Sequence, residues 1–332
     1  MSNAKHTPPK NGKPGLSTTP DALTNRGRRT VHLGDLLFGG SARASGLIIV
    51  VVVLIIGAFL LGNAWQPLLD NTANFFTSTT FDSSSRPPHF GVAALLWTTV
   101  LSSLIALLIA VPVAVGIALL LTQYVGGRFS RWIGFVIDLL AAVPSVIFGL
   151  WGIKVLGPAL QPVAHWLQAH LGWFPLFGNT QVTSPGTVFT ASLVLALMIL
   201  PIITAVTRDV FSQTPRDQIE AALALGATRW EMIRMTVLPH GRSGATAAAM
   251  LGLGRALGET IAVMLILSAS SFNVSVFSGG ETFASIIARN AAEFDTTYKA
   301  GIYISAGLVL FVLTFAVNAL ARIVAERGKA KS

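Results

Sequence analysis

The sequence specifies an all-α polytopic membrane protein with six transmembrane helices, and three observations lead there. Of 332 residues, 52% are hydrophobic and only 11% charged, where an ordinary soluble domain carries roughly a quarter charged. The apolar residues arrive in uncharged blocks such as Ala44–Gly62 and Val92–Thr122, each long enough to cross the ~30 Å hydrocarbon core. These blocks far exceed the ~10-residue alternating segments of a membrane barrel, and lipid offers the backbone no hydrogen-bond partners, so the spans are helices.

In chain order the expected spans are 44–64, 92–122, 132–157, 187–207, 244–271 and 300–321. Residues 1–43 form a basic tail whose first thirty residues are Pro, Gly, Ser, Thr and Lys with few large apolar side chains, a composition that does not fold alone. The basic tail is too long, and small residues too scarce after residue 64, for 44–64 to be a cleaved signal. The aromatic-rich segments 65–91 and 158–186 suit loops or short helices at the headgroups. Lys and Arg cluster before span one, at Arg128 and Arg131, between Arg208 and Arg242, and after Arg322, whereas the opposite side holds Arg86, Arg289 and Lys299. The positive-inside rule therefore puts both termini and the 325–332 tail in the cytoplasm. Loop charge accounts for the net charge of +9 without a nucleic-acid partner. There is no cysteine, which excludes disulfides and thiolate chemistry. His165 and His170 lack a third ligand for a metal, and no cofactor is expected.

The cytoplasmic stretch 214–242 carries helix punctuation. Thr214, Pro215 and Asp217 read as an N-cap, a first-turn proline and an acidic third position. Gly226 ends that helix, and after a Gly226-Ala227-Thr228 turn the pair Thr228 and Glu231 forms a capping box for a second helix running to Leu238, before Pro239. Ile219, Ala222 and Leu223 share one face, and Trp230, Ile233 and Val237 another. Such faces meet the protein's own span ends or a partner's groove.

Span five places Arg255 about 16 Å along the helix from Gly244, near the bilayer centre. Arg255 and Glu259 each cost ~2.5–3.5 kcal/mol at that depth, so they face the bundle interior or a wet cavity. Four residues apart on one continuous helix they share a face and can pair. Gly254 and Gly258 match the small-xxx-small pattern of close helix approach. A guanidinium there suits an inorganic oxyanion, being a planar fork of donors that keeps its charge.

Glu220-Ala221-Ala222, Gly226 and Leu238-Pro239 resemble the EAA loop of permeases in ATP-binding-cassette importers, although Thr236 stands where an aliphatic residue is common. Gly254-Arg255-Ala-Leu-Gly-Glu259-Thr260 and Asp138-Leu-Leu-Ala-Ala-Val-Pro144-Ser145 resemble the phosphate-importer permeases of the Pst type, and the separate first span is closer to their C subunits than to their A subunits. The resemblance covers residues 90 to 324 and implies a type I permease fold in a bacterial plasma membrane. It implies Arg255, Glu259 and Thr260 as substrate contacts. Glu220, Ala221, Ala222, Gly226, Ala227 and Thr228 would couple to an ATPase. It further implies three partners: a homologous A-subunit-like permease, an ATP-binding-cassette ATPase dimer and an extracytoplasmic phosphate-binding protein. The chain itself has no Gly-x-x-x-x-Gly-Lys-Ser/Thr loop, so it is not expected to be an enzyme. Sulfate or molybdate permeases, an ion-driven anion transporter, and a membrane scaffold are the other readings.

Overall fold

A computed structural model describes residues 33–85, 87–178, 180 and 182–329. Residues 1–32, which hold most of the expected tail, and Arg86 lie outside them. The chain divides into two units, 1–54 and 55–332. The described part of the first unit is the beginning of α1 (Leu33–Asp70), a helix that starts within the expected tail, at Leu33, and continues through residues assigned to the first outer loop. Its apolar run from Leu47 to Leu61 lacks polar breaks, which suits a helix surrounded by hydrocarbon.

In the second unit α2 (Ala93–Leu119) ends in a π-helical turn, Leu120–Tyr124. The expected third span is present in pieces: α3 (Gly127–Ala141), α4 (Ser145–Trp151), a π-helical turn at Gly152–Leu156, and α5 (Gly157–Leu171). Pro144 makes the first break, because its ring excludes the preceding residue from helical geometry and it donates no N–H. Beyond it the expected outer loop is helical as far as Leu171. Asp138 is exposed on α3. Phe129, Trp132, Phe135 and Leu139 form an exposed apolar row on the same helix.

At the centre stands α6 (Val188–Ser212), whose N-cap Thr187 accepts from the Thr190 N–H. Ile199, Ile203, Val194 and Leu195 on it are buried to 1% exposure or less, and α2 and α9 (Leu238–Gly258) pack along it. Small residues set that approach. A Cβ at Gly252 would fall 2.7 Å from Ile203 Cδ1, one at Gly244 would fall 2.5 Å from Val210 Cγ2, and Gly241 lies against the Phe211 ring. These pairings run residues 241–252 antiparallel to residues 211–203. Close packing therefore falls to Gly252 and not to the expected Gly254 and Gly258, at each of which a Cβ would meet nothing within 4 Å. Accordingly Gly252→Val lowers the melting temperature by several degrees, through overpacking of about 1–3 kcal/mol, and Gly254→Ala changes it little. Thermal unfolding of the two purified variants checks the contrast; equal losses would refute it.

The expected fifth span is also interrupted. The helix α9 stops at Gly258, Glu259 is extended (φ −69°, ψ 123°), and a short α10 (Ile261–Ile266) follows. Close contacts of Gly149 with Ala262 and of Gly152 with Val194 and Ile266 hold α10 against α4 and α6. Among the described residues five helices, Gly40–Asp70, Ala93–Tyr124, Ser145–Leu171, Val188–Ser212 and Thr297–Leu320, are long and apolar enough to cross a membrane. The α9–α10 segment falls outside this set because it is broken and Gly-rich. On the opposite end, β1 (Phe81–Asp82) pairs antiparallel with β2 (His89–Phe90) over a cluster of Phe75, Phe90, Phe294 and Tyr303. There α11 (Phe283–Arg289), capped by Thr282, packs on α12 (Thr297–Lys329).

Candidate functional site

Two regions contain the residues singled out from sequence. The first is the uncovered face of α9. Ala247, Leu251, Arg255 and Gly258 follow one another at three- and four-residue spacing, and all are exposed, Leu251 to 59%, while Ala248, Gly252 and Ala256 face the bundle and are buried. Arg255 makes no hydrogen bond or ion pair with any described residue. The expected Arg255–Glu259 pair is absent from the structure. The reason is the break: because the helix ends at Gly258, Glu259 leaves the face of Arg255, and its Oε1 accepts the Ala262 N–H at 3.3 Å. Thr260 Oγ1 donates to the Gly258 carbonyl at 3.1 Å. Both residues thus satisfy backbone groups that the interruption leaves open, as caps do, and the guanidinium keeps all its donors free.

Sequence reasoning treated Arg289 only as an outer-side charge. Its guanidinium donates to the carbonyls of Met264 (3.1 Å) and Leu267 (2.9 Å), which end α10, and pairs with Glu281 at 2.9 Å. A cation on the open carbonyls of a helix end is favourable by charge and by hydrogen bonding. The half-buried Glu281 carboxyl is raised above the ordinary glutamate range by desolvation, with Arg289 opposing. The signal in the sequence was faint, an isolated Glu and Arg eight residues apart in a charge-poor segment.

The second region is the pair α7 (Arg216–Ala224) and α8 (Arg229–Met232). Gly226 joins them at φ +87°, the left-handed conformation expected of it. Thr228 and Glu231 form the expected capping box: Thr228 Oγ1 accepts the Glu231 N–H, and Glu231 Oε2 accepts the Thr228 N–H at 2.8 Å. These bonds hold the exposed Glu231 carboxyl below the ordinary range. A depressed carboxyl contributes stability that is present above its unfolded pKa and lost as pH falls through its folded pKa. Acidification therefore frays the start of α8 in the wild type, whereas Glu231→Gln, which keeps a neutral acceptor, removes that pH dependence. Amide exchange at Glu231 and Met232 between pH 6 and about pH 3 measures this; identical profiles would contradict the assignment.

Two expectations for this pair need correction. Thr214 does not cap α7: the helix begins at Arg216 with Pro215 in the cap position, and the buried Thr214 hydroxyl has no hydrogen-bond partner among the described residues. The second helix does not stop before Pro239. It passes through a π-helical turn, Ile233–Val237, into α9 with Pro239 in the first turn, the wider turn absorbing the missing proline N–H. The apolar residues divide into a buried set and an exposed set. Ala222, Ile233 and Val237, with Met232, are buried against Ala118, Leu119 and Phe211, and Ile219 packs on them. Leu223 (43%), Leu225 (89%), Trp230 (57%) and Met235 (67%) are exposed. Glu220 and Ala221 are exposed as well, beside the buried Ala222, and Ala227 is half-buried beside the exposed Thr228.

Residues 110–329 match the family described as binding-protein-dependent transport system inner membrane component. The phosphate transport system permease protein PstC 2 of Mycobacterium tuberculosis is 56% identical over 92% of this chain and 96% of that protein. PstC of Mycobacterium leprae is 59% identical over 80% and 84%, and PstC of Mesorhizobium japonicum 34% identical over 96% and 97%. Among solved structures, a bacterial ABC transporter involved in the import of the acidic polysaccharide alginate superposes with a TM-score of 0.53 at 17% identity, covering 88% of this chain and 98% of that one. An inward-facing MetNI methionine ABC transporter superposes at 0.51 and 16% identity over 71% and 96%. These likenesses carry the fold, that of type I importer permeases, and the family match carries membership. The chain belongs to the binding-protein-dependent transport system inner membrane components.

Proposed function

We propose that this chain is a permease subunit of an ATP-driven importer of inorganic phosphate, with Arg255 as the transient counter-ion of the travelling anion. The observation that carries the proposal is an exposed, unpaired guanidinium on the uncovered face of α9, immediately before the helix breaks. A free guanidinium in a span is costly in lipid, and a second permease covering this face would turn it toward a path between the two. The names of the relatives, phosphate transport permeases, supply the substrate. A bidentate arginine matches two phosphate oxygens, and a single one binds weakly enough to release its ion. Glu259 and Thr260 act at one remove, seating the break that keeps the guanidinium unneutralised.

The exposed Leu223, Leu225, Trp230 and Met235 on the α7–α8 pair fit the groove of a partner ATPase dimer, and Glu220, Ala221 and Gly226 to Thr228 hold that surface in shape. Closure of the ATPases then pushes the pair. Because α8 continues without a stop into α9, the push reaches Arg255 along one helix. The α9–α10 segment makes the sixth crossing, both termini lie in the cytoplasm, and an extracytoplasmic binding protein delivers phosphate to the opposite face. Reconstitution of this chain with a homologous permease, ATPase and binding protein tests the reading. Phosphate enters proteoliposomes when ATP is inside the ATPase compartment, and sulfate and molybdate do not compete. Uptake driven by an ion gradient without ATP would overturn it in favour of a secondary transporter, and competition by sulfate or molybdate would reassign the substrate.

A further inference from the structure

At the root of α7, away from the exposed surface of the α7–α8 pair, a cleft of about 370 Å³ opens between the ends of α2, α3 and α6. Arg208, Arg216, Thr214, Ser212 and Gln123 line it, with Asp209 as the one carboxylate. Thr214 is 5% exposed and its hydroxyl has no partner among the described residues, an unusual condition for a buried polar group. Arg216 makes no hydrogen bond or ion pair with any described residue, and Arg208, whose guanidinium lies against Gly134 of α3, pairs among the described residues with the adjacent Asp209, at 3.6 Å. The first turn of α7 adds backbone N–H groups that have no acceptor within the helix. Two guanidiniums against one carboxylate, an orphaned hydroxyl and open N–H groups form a set of donors without acceptors.

We propose that this cleft is a second oxyanion site, separate from Arg255, which takes a phosphate group from inorganic phosphate or from an anionic lipid headgroup. Arg216 and Arg208 grip its oxygens, with the Thr214 side chain in the wall beside them. Bound there, the group ties the α2–α3 connection to the start of α7 and stiffens the joint through which the α7–α8 pair moves. Accumulated phosphate, or the composition of the inner leaflet, thereby sets how freely the pair responds.

The chain has no cysteine, so Ser212→Cys introduces a single thiol at the rim. The full-length variant in phosphatidylcholine nanodiscs is alkylated with a maleimide, with phosphate or with chloride at equal ionic strength, and separately in phosphatidylglycerol nanodiscs without phosphate. At about ten times its dissociation constant, phosphate slows alkylation about tenfold by occupancy. Protection by phosphate assigns the free ion, and protection by phosphatidylglycerol alone assigns the headgroup. In both cases Arg216→Gln abolishes it while Arg255→Ala leaves it intact, which separates this site from the translocation path. Absence of protection by either ligand, its persistence in Arg216→Gln, or its loss in Arg255→Ala would each overturn the proposal.

Discussion

Arg255→Ala lowers phosphate uptake at least about tenfold while the chain still folds and assembles. The two halves of that result follow from one feature, the lack of any partner for the guanidinium among the described residues. Truncating an unpaired, exposed side chain strands no buried acceptor and opens no cavity, so the melting temperature moves by less than about 1 °C. Removing the only cation on the uncovered face of α9, by contrast, takes a charge-assisted bidentate contact from the anion, worth about 1.5–3 kcal/mol, and lowers uptake about 10- to 150-fold. Arg255→Lys recovers part of it, since ammonium restores the charge without the fork. Radiolabelled phosphate uptake into proteoliposomes, scored beside co-purification of the partner subunits, reads both halves. Normal uptake by well-assembled Arg255→Ala would remove arginine from the path, and loss of assembly would make its role structural.

Gly226→Pro and Leu225→Asp each release the ATPase, by different routes. Proline fixes φ near −65°, which is incompatible with the +87° at this turn, so α7 and α8 lose their relative orientation. Leu225→Asp keeps the turn and places a charge where an 89% exposed leucine now projects; it disturbs the fold little and desolvates badly in any apolar groove. Losing such an anchor costs about 2–4 kcal/mol of binding, a drop in affinity of about 30- to 1000-fold. Co-purification of the ATPase with each variant gives the result. Retention by both would mean that the α7–α8 surface is not the docking site, whereas retention by Leu225→Asp alone would narrow it to Leu223, Trp230 and Met235.

How far these features could be read from the sequence depends on whether local chemistry or packing decides them. The left-handed Gly226 and the Thr228–Glu231 box involve residues three or fewer apart, and the structure has both. The apolar blocks gave long helices for the same reason, since composition over twenty residues outweighs any one side chain. Failures occurred where neighbours competed. Hydrophobicity alone could not locate the interruptions after Ala141 and Gly258, because composition averaged over a block assigns no break to a particular residue. Helical spacing then implied a contact between Arg255 and Glu259 that the second interruption removes. Nor could spacing tell which glycine packs: Gly252 meets Ile203, while Gly254 and Gly258, two and six residues on, point into open space.

A structure of the assembled importer trapped with phosphate and a non-hydrolysable nucleotide tests the central assignment most directly. Phosphate is expected within about 2.7–2.9 Å of the Arg255 guanidinium, in a water-accessible space between this chain and its homologous partner. Phosphate held by other residues, with the Arg255 side chain paired inside dry protein, would contradict it.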